Sequence, residues 1–478
     1  MLTRVDLRGV LVLIRNFKHA MVLSVLALSA PLAEGASIAA ANCSSSAVQS
    51  AINSAADGDT VVLPACATGS WTGNVSIPSN KGISLWGAGP DSTIISTSAT
   101  LNIDSRESNA PIRITGIRFV RSGGTNARIV IIGTAKNWRI DNNIFDDAGV
   151  NGAYTIRVGN SSANADAYSY GVIDHNSFIN RNYATSIFVE WPRGALDPVA
   201  AGDWIWAQPS QRGTSQAVYI EDNVFSGGGT ASQVIDARWG AKYVLRYNTI
   251  HNPWISTHSG CTNLGREPIW QEIYNNAFTD DGNRYGGSQI EMRSTSAVVW
   301  NNTAASRLNK YVISVDHERA WRDCSGSYGG IANGTRTYDA NIGPGGYRAL
   351  GQPGWGQPQP ANMRSATFSG VFAWSNRDAG TLRDLVIANN NGYSSDFMQF
   401  GRELFNQSNI SVGPLTSRPS SCTDSPRGVY VATDQNPQGA TMYVCAAGSW
   451  VKHWEPYTYP HPQIGGKRPA PPSDVTSE

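Results

Sequence analysis

The chain has few charged residues for its length and no sustained helical pattern. Only 15% of its 478 residues are charged, and the formal net charge is +1. This balance excludes a generally basic or acidic surface for nucleic acid or an anionic membrane, so a charged partner must meet a local patch. Apolar residues do not recur at helical spacing, which argues against long helices. The 48 Gly and 24 Pro residues instead predict many short strands joined by turns.

The sequence also lacks the cysteine spacings of zinc sites. No CxxC or Cys/His pattern is present, and the even count of six cysteines predicts disulfides formed in an oxidising compartment. Six cysteines allow fifteen connectivities, and we favour the one in which each bridge closes within one region. The predicted pairs are Cys43 with Cys66, Cys261 with Cys324, and Cys422 with Cys445.

One apolar segment, close to the N-terminus, reads as an export signal. Arg15 and Lys18 precede an apolar run over 20–33, and small residues continue to Ala41. We therefore predict a signal peptide and leader over 1–41, with an uncleaved anchor as the alternative. The run is short for a membrane span, and no later segment has about 18 uninterrupted apolar residues. We expect a secreted, periplasmic or cell-surface protein with no membrane span in the mature chain.

A six-residue sequence motif, called the phrase below, recurs six times: an aliphatic residue, two variable residues, Asn, a variable residue and usually an apolar one. Its asparagines are Asn143, Asn176, Asn223, Asn248, Asn276 and Asn302, which gives steps of 33, 47, 25, 28 and 26 residues. A period of about 25 residues is typical of one turn of a coiled β-solenoid. An inward Asn at a tight turn can hydrogen-bond its own coil and the next Asn, so we interpret these residues as structural.

The flanking segments predict the limits of a solenoid domain over 42–410. Residues 47–55 are apolar at helical spacing, which predicts a helix that covers the open end of the core. We place the coil at about 59–400, with insertions at about 191–215 and 320–368 and a possible seventh copy of the phrase ending at Asn390. Residues 411–462 predict a small disulfide-held β element whose aromatic residues we expect to pack against the last coil. Residues 463–478 predict a disordered tail.

With this cap, these turns and this period, the chain resembles the right-handed parallel β-helix proteins of the pectin-lyase-like superfamily. The resemblance covers roughly 45–400. It implies an all-β fold, a right-handed parallel β-helix (solenoid) with an N-terminal helical cap and a small C-terminal β element. The superfamily includes polysaccharide lyases, glycoside hydrolases, esterases, epimerases and adhesins, so the reaction must be argued from the site.

Counting about 13 to 17 residues on from each Asn predicts strands with charged outward residues, stacked about 4.8 Å apart from turn to turn. These residues are Arg157, Glu190, Asp236, Arg238, Glu291, Arg293, Asp316 and Glu318. One interpretation is a solvated sheet face with ladder salt bridges. The other, which we favour, is a groove that binds an anionic polysaccharide, because Arg suits bidentate contact with carboxylate or sulfate.

We call this stacked set of charged residues the strip. Within it, residues 233–260 look like the site of the alginate and chondroitin lyases of that superfamily, which use a Lys as the base and an Arg one coil later. The resemblance implies Arg238 at the base position and His258 at the Arg position, for β-elimination at a uronate. An Arg base needs a strongly depressed pKa. His258 could instead be the base, because its ordinary pKa is about 6.5, with Arg238, Arg266 or Arg293 neutralising the substrate carboxylate.

Calcium is possible but has no supporting motif. Those lyases carry acidic calcium ligands just before the base, and this chain has Ala231 and Gln233 there. We therefore predict no cofactor. The expected partner is an anionic polysaccharide, with no nucleic acid, and the expected state is a monomer.

Two other functions stay open. A glycoside hydrolase would use two carboxylates from neighbouring coils, and Asp236, Glu291, Asp316 and Glu318 could supply such a pair. A non-catalytic glycan-binding or adhesin-like surface protein would use the coil as a scaffold. The reaction product separates the three, since β-elimination leaves an unsaturated uronate, hydrolysis leaves a new reducing end, and a scaffold leaves neither.

Overall fold

The computed structural model describes most of the chain from Gly35 to Gly465. The described residues are 35–124, 127–133, 135–150, 152, 154–159, 169–181, 185–190, 212–227, 232–238, 241–257, 270–279, 289–293, 296–304, 313–316, 370–388 and 400–465. For Arg181, Arg238, Arg293 and Asp316 only the backbone is described. Residues 1–34 of the predicted leader, most of the first insertion, all of the second, and Cys261 with Cys324 lie outside these residues, whereas residues 35–41 of the predicted leader are described.

The described strands form three long sheets that the chain visits in rotation, A then B then C. Sheet A contains β1 (Ser37–Ala39), β2 (Thr60–Val62), β5 (Ser84–Trp86), β8 (Ile112–Thr115), β11 (Lys136–Asp141), β14 (Tyr170–Asp174), β17 (Val218–Glu221), β20 (Lys242–Arg246), β23 (Trp270–Tyr274), β26 (Ser296–Trp300), β29 (Val371–Trp374) and β33 (Leu404–Phe405). Sheet B contains β3 (Cys66–Trp71), β6 (Thr93–Thr97), β9 (Arg118–Arg121), β12 (Ile144–Asp146), β15 (Ser177–Arg181), β18 (Val224–Gly227), β21 (Thr249–His251), β24 (Ala277–Thr279), β27 (Thr303–Ala304), β30 (Arg377–Asp378) and β31 (Thr381–Leu382). Sheet C contains β4 (Val75–Ile77), β7 (Leu101–Ile103), β10 (Ile129–Ile131), β13 (Tyr154–Val158), β16 (Thr185–Glu190), β19 (Gln233–Arg238), β22 (Trp254–Ser256), β25 (Ile290–Arg293), β28 (Ile313–Asp316) and β32 (Leu385–Ile387).

Neighbouring strands in each sheet belong to successive turns of the chain and run parallel, except that β30 and β31 are antiparallel. The predicted parallel β-helix is therefore confirmed. The coil begins earlier than the predicted position of about 59, because β1 already pairs with β2 in sheet A. It ends with β33, slightly beyond the predicted limit of about 400.

Rows of apolar side chains fill the interior because alternate residues of each strand point inward. Ile114, Ile140, Ile173, Ile220 and Leu245 form one such row in sheet A, and all are fully buried. In sheet B a stack of rings continues over four turns, with centroids 5.5, 5.0 and 4.7 Å apart. These rings are Phe119, Phe145, Phe178 and Phe225. The repeated phrase thus determines the tight turn at its Asn and also the apolar rows that pack on either side of that turn.

The repeated asparagines form a continuous hydrogen-bonded ladder between sheets A and B. The side-chain amide of each donates to the Oδ1 of the next at 2.9–3.1 Å, and to two backbone carbonyls, one in its own turn and one in the preceding turn. The residue before each Asn has a φ of 51–58°, which makes the turn tight. All six are at most 1% exposed, so their predicted structural role is confirmed.

The seventh member of the ladder is Asn376. The possible seventh copy of the phrase, at Asn390, lies outside the described residues. Asn376 accepts hydrogen bonds from the backbone N–H and the side-chain amide of Asn302 at 3.1 and 2.9 Å. Three positions before Asn376 stands Ala373, where the phrase has a larger aliphatic residue. Asn376 also follows Asn302 by 74 residues, so neither the phrase nor the period predicts it. At the other end, Ile117 occupies the ladder position, and its N–H donates to Asn143 Oδ1.

The predicted N-terminal cap is present as helix α1 (Ser45–Ser54). Its N-cap is Ser44, whose hydroxyl accepts from the Ala47 N–H at 3.2 Å, and its apolar face buries against the first turns. The Gln49 amide pairs with both backbone groups of Ser76, at 2.7 and 3.1 Å. This contact covers the edge strand β4, which would otherwise offer unpaired backbone groups.

The C-terminal element is a separate four-stranded sheet, sheet D, of β34 (Ile410–Gly413), β35 (Val429–Ala432), β36 (Thr441–Ala446) and β37 (Ser449–Trp454). The disulfide between Cys422 and Cys445 ties it together, and that between Cys43 and Cys66 closes the first turn, so two of the three predicted bridges are present. One face of sheet D packs on the outer face of sheet A in a second hydrophobic cluster that contains Trp300, Trp374 and Trp454. The expected packing on the coil thus occurs.

Residues 455–465, called the strap below, run back along sheet A towards the N-terminus. The buried guanidinium of Arg246 donates to the Tyr457 and Thr458 carbonyls at 2.7 and 2.8 Å. Tyr459 stacks on Tyr247 at 3.6 Å, and Arg139 donates to the Ile464 carbonyl at 3.1 Å. The strap ends in a short 3-10 helix, Pro462–Gly465, so the ordered chain passes the predicted tail boundary at 463.

Candidate functional site

The predicted site residues that the structure describes lie on sheet C in two outward columns. In the first column, Arg157 pairs with Phe188 and Phe188 with Asp236 on successive turns. Ile235 pairs with Ile255, which places Asp236 beside Ser256, and Ser256 pairs with Glu291. In the second column, Glu190 pairs with Arg238, and Arg293 pairs with Asp316.

These columns face away from the interior because the alternate residues form the core. The inward residues are Ile156, Val158, Ile187, Val189, Ile235, Ala237, Ile290, Met292, Ile313 and Val315, all within the interior cluster. The pleat therefore turns Arg157, Glu190, Asp236 and Glu291 outward, and Arg238, Arg293 and Asp316 occupy equivalent backbone positions. The charged strip on one face, predicted from counting along the repeat, agrees with this register.

Not every predicted residue can be placed. Of the predicted catalytic residues, Arg238 and Arg293 are described by their backbone, and His258 lies outside the described residues, which stop at Thr257 on that strand. Of the predicted binding residues, Arg157, Glu190, Asp236 and Glu291 are described in full. Asp316 is described by its backbone, and Arg266 and Glu318 lie outside the described residues.

Arg157 and Glu190 form an ion pair between neighbouring turns. Arg157 Nε lies 2.7 Å from Glu190 Oε1, and Arg157 NH2 makes a second, shorter contact with the same oxygen. The guanidinium also lies 5.6 Å from the centroid of the Phe188 ring, which stacks on Tyr154 at 4.4 Å. At this end of the strip, charged residues of neighbouring turns therefore pair with each other, as expected for a sheet face with ladder salt bridges.

Further along, the first column is withdrawn from solvent although it points outward. Phe188, Asp236, Ser256 and Ser314 are at most 3% exposed, whereas the Arg157 side chain is 30% exposed and Glu291 is partly exposed. An open, solvated sheet face would leave such side chains in water. The middle of the strip is therefore a sheltered environment, where charge interactions are stronger than in bulk water.

The sequence reasoning missed a second charged array, on the outer face of sheet A. Arg113 pairs with Asp141, Arg139 with Asp174, and Arg246 with Glu221, with closest contacts of 2.5–2.7 Å. The available signal was the position two residues before each ladder Asn, which holds Asp141, Asp174, Glu221 and Arg246 in successive copies. The strap covers part of this array, and each of these charges is met by an opposite charge within the protein.

A buried group of titratable residues lies beside this array, under sheet D. Glu272 accepts from the Trp270 indole at 2.7 Å and from the Gly213 N–H at 3.1 Å. Burial raises the pKa of Glu272 and lowers that of the neighbouring Lys242. Perturbed pKa values can mark a functional site. Because sheet D covers this group, with the Trp454 side chain next to Glu272, we assign Lys242 and Glu272 a structural role.

The described part of the chain contains no group of three or more His, Cys, Asp or Glu residues placed to hold a metal ion. It also contains no helix long and apolar enough to cross a membrane.

Comparison with known proteins adds the following. No protein-family model matches the chain, and no curated protein matches it. Among solved structures, an alginate lyase from Paenibacillus sp. str. FPU-7 is 13% identical, with 73% of this chain and 97% of that chain covered at a TM-score of 0.34. The PL6 family polysaccharide lyase Pedsa3628 from Pseudopedobacter saltans is 14% identical, with 75% and 93% covered at a TM-score of 0.28. Similarities this low identify neither the reaction nor its residues.

Proposed function

We propose that this chain is a polysaccharide lyase that cleaves a uronate-containing polymer by β-elimination on the outer face of sheet C. The observation that carries the proposal is the register of the second column. In this register the backbones of Arg238 and Arg293 occupy equivalent positions of two strands, separated by one intervening turn, which supports the proposal. The two backbone positions are therefore about 9.6 Å apart, twice the strand spacing. A sugar polymer lying along the coil axis would pass both.

The surroundings favour a binding role for both arginines. Each has an acidic residue at the paired position on the adjacent turn, Glu190 for Arg238 and Asp316 for Arg293. A nearby carboxylate stabilises the charged form of a cation, which opposes the loss of a proton that a base requires. In the proposed reaction the arginines neutralise the uronate carboxylate and stabilise the enolate that develops there.

The proton must then leave to another group, and His258 is the proposed base. In the sequence it follows Thr257, one turn after Arg238, and a neutral imidazole can take the proton from the carbon next to the carboxylate. The electron pair forms the new double bond, and the bond from the ring to the glycosidic oxygen breaks. A proton donor, water or a side chain, completes the leaving hydroxyl.

The test is an elimination assay on purified protein. Alginate, glucuronan, polygalacturonate and glycosaminoglycans are each incubated with the protein, and the ultraviolet absorbance of the unsaturated uronate is followed. We expect a rise with at least one polymer, and its loss in Arg238→Gln, Arg293→Gln and His258→Ala. Arg377→Gln is the matched control because Arg377 is an exposed arginine on sheet B, away from the strip. Absence of a rise on every polymer contradicts the lyase.

A hydrolase is the second candidate, and one observation favours it. Asp236 and Glu291 share the first column, separated only by the turn that holds Ser256, so their backbones are about 9.6 Å apart. Paired carboxyl groups of inverting glycosidases lie roughly 6.5–9.5 Å apart. New reducing ends without the ultraviolet product would favour this reaction, with Asp236→Asn and Glu291→Gln as its inactive variants. Binding without either product would favour a non-catalytic glycan-binding protein.

Export from the cytoplasm is part of the proposal. It is supported by the two disulfides and by the basic and apolar pattern of the N-terminal segment. The measurement is the location and N-terminal sequence of the protein in a secreting host.

A further inference from the structure

The two faces of sheet D have different environments. Val429, Val431, Met442, Val444 and Trp454 point towards the coil and are at most 2% exposed, within the second hydrophobic cluster. The opposite face carries Tyr443 and Trp450, which are only partly buried. The inner face accounts for the attachment of sheet D to the coil, so the aromatic residues of the outer face are not needed for it.

An arginine lies on these outer rings. The Arg418 guanidinium carbon is 4.3 Å from the centroid of the Tyr443 ring and 5.8 Å from that of Trp450. Within the described part of the chain, this guanidinium makes no hydrogen bond or ion pair. Coil arginines of similar exposure differ, since Arg113, Arg118 and Arg383 each contact a carboxylate. Arg418 therefore presents its donors to solvent while the rings hold its plane.

The segment that carries Arg418 is fastened on both sides. The Trp450 indole donates to the Pro419 carbonyl at 2.8 Å, and the Tyr430 hydroxyl donates to the Pro414 carbonyl at 2.6 Å. The disulfide between Cys422 and Cys445 holds the following residues to β36. The fold therefore already orders this guanidinium, so a ligand that binds it would lose little additional side-chain entropy.

We propose that Arg418, Tyr443 and Trp450 form an accessory binding site for a carboxylate-bearing sugar of the polymer on which sheet C acts. This inference rests on the proposed function for the identity of the polymer. The carboxylate would accept from the two parallel donors of the guanidinium, and the apolar face of the sugar ring would pack on the partly exposed aromatic rings. The charge complements a uronate, whereas a neutral glucan offers no carboxylate to pair with it.

The experiment is native gel electrophoresis of the full chain in gels that contain alginate, polygalacturonate or hyaluronan, with dextran as the neutral polymer. All proteins carry Arg238→Gln, so that the polymer is not degraded. We expect retardation in at least one uronate gel and none in dextran. Arg418→Gln and Trp450→Ala should each weaken the apparent affinity about fivefold, the range for a partly exposed charge-assisted contact. Arg377→Gln should leave it unchanged.

Arg418→Lys separates planar recognition from simple charge, because Lys keeps the charge and loses the paired donors. Affinity as low as that of Arg418→Gln supports the proposal. Retardation that is unaffected by Arg418→Gln, or fully restored by Arg418→Lys, overturns it, as does the absence of retardation in every uronate gel. The assay measures binding, so failure of the elimination reaction is recognised separately.

Discussion

The Asn ladder makes a quantitative prediction at Asn223. Its side-chain amide donates to the Ile173 carbonyl at 2.8 Å, to the Glu221 carbonyl at 3.0 Å and to Asn248 Oδ1 at 3.1 Å. Its Oδ1 accepts from the backbone N–H and the side-chain amide of Asn176, at 3.0 and 3.1 Å. Asn223→Ala removes all five interactions from a residue that is 1% exposed.

The cost follows from the groups left behind. Two carbonyls and one backbone N–H lose a partner in a buried turn, and each such group costs about 1–3 kcal/mol. Water that enters the space recovers part of this. We therefore expect a loss of roughly 3–5 kcal/mol, a large part of the 5–15 kcal/mol by which native proteins are typically stable.

The measurement is thermal and guanidinium-induced unfolding followed by circular dichroism. Asn301→Gly is the matched control, because Asn301 lies in an equivalent turn with a φ of 51°, is exposed, and donates one hydrogen bond to Asn275 at 2.8 Å. Glycine adopts that φ without strain, so the control should cost less than about 1 kcal/mol. If Asn223→Ala were no more destabilising than Asn301→Gly, the ladder would not be the stabilising element inferred here.

Three further predictions address the ion pair, the packing and the strap. Arg157→Gln should destabilise the fold more than the double variant Arg157→Gln with Glu190→Gln, because the single change removes the guanidinium of Arg157 from a carboxylate that stays buried; a double-mutant cycle of unfolding free energies measures this. Gly171→Ala should cost at least about 2 kcal/mol, since the new Cβ would lie 2.3 Å from the Trp138 carbonyl oxygen, and the same unfolding assay detects it. Burial, followed by the charge of Arg246, lowers the pKa of His461 to about 4 from 6.5, so strap docking should be strongest above pH 6.5 and weaken as the pH falls towards 4. Burial raises the pKa of Glu221, and this shift has the opposite effect on the pH dependence of strap docking. The variant His461→Asn isolates the histidine contribution, because Asn can still accept from the Gln463 N–H. The measurement is the proteolysis of the strap as a function of pH.

Local features of the sequence predicted the coil, the cap and the ladder. Each ladder Asn sits in a fixed context of its own turn, so Asn143 to Asn302 could be recognised from neighbouring residues alone. Asn376 could not, because the chain leaves the coil for 74 residues after Asn302 and returns without the aliphatic residue of the phrase. The strap was equally hidden, since Arg246 recognises backbone carbonyls more than 200 residues away, and a carbonyl has no residue signature.

The candidate site was predicted to the level of a face, and the two charged arrays explain why the face matters. Alternation and counting placed Asp236, Arg238, Glu291 and Arg293 on one surface, and the register of sheet C agrees. Counting alone could not distinguish a strip that binds a polymer from one that pairs with itself. On sheet A the answer is clear, because Arg139 and Arg246 are held by buried carboxylates and covered by the strap. An array closed in this way contributes stability and offers nothing to a ligand.

Sheet C differs where its second column passes from Arg238 to Arg293. There the acidic residues stand at the outer ends, Glu190 before and Asp316 after, and two arginine positions lie between them. A carboxylate brought to the middle would meet cations on either side, whereas one bound beyond the ends would meet like charge. Under the proposed lyase function, a uronate would therefore bind at the turn of β22, between the two arginine positions. That local charge pattern, and not the total charge of the strip, is why the elimination assay with Arg238→Gln and Arg293→Gln is the decisive experiment.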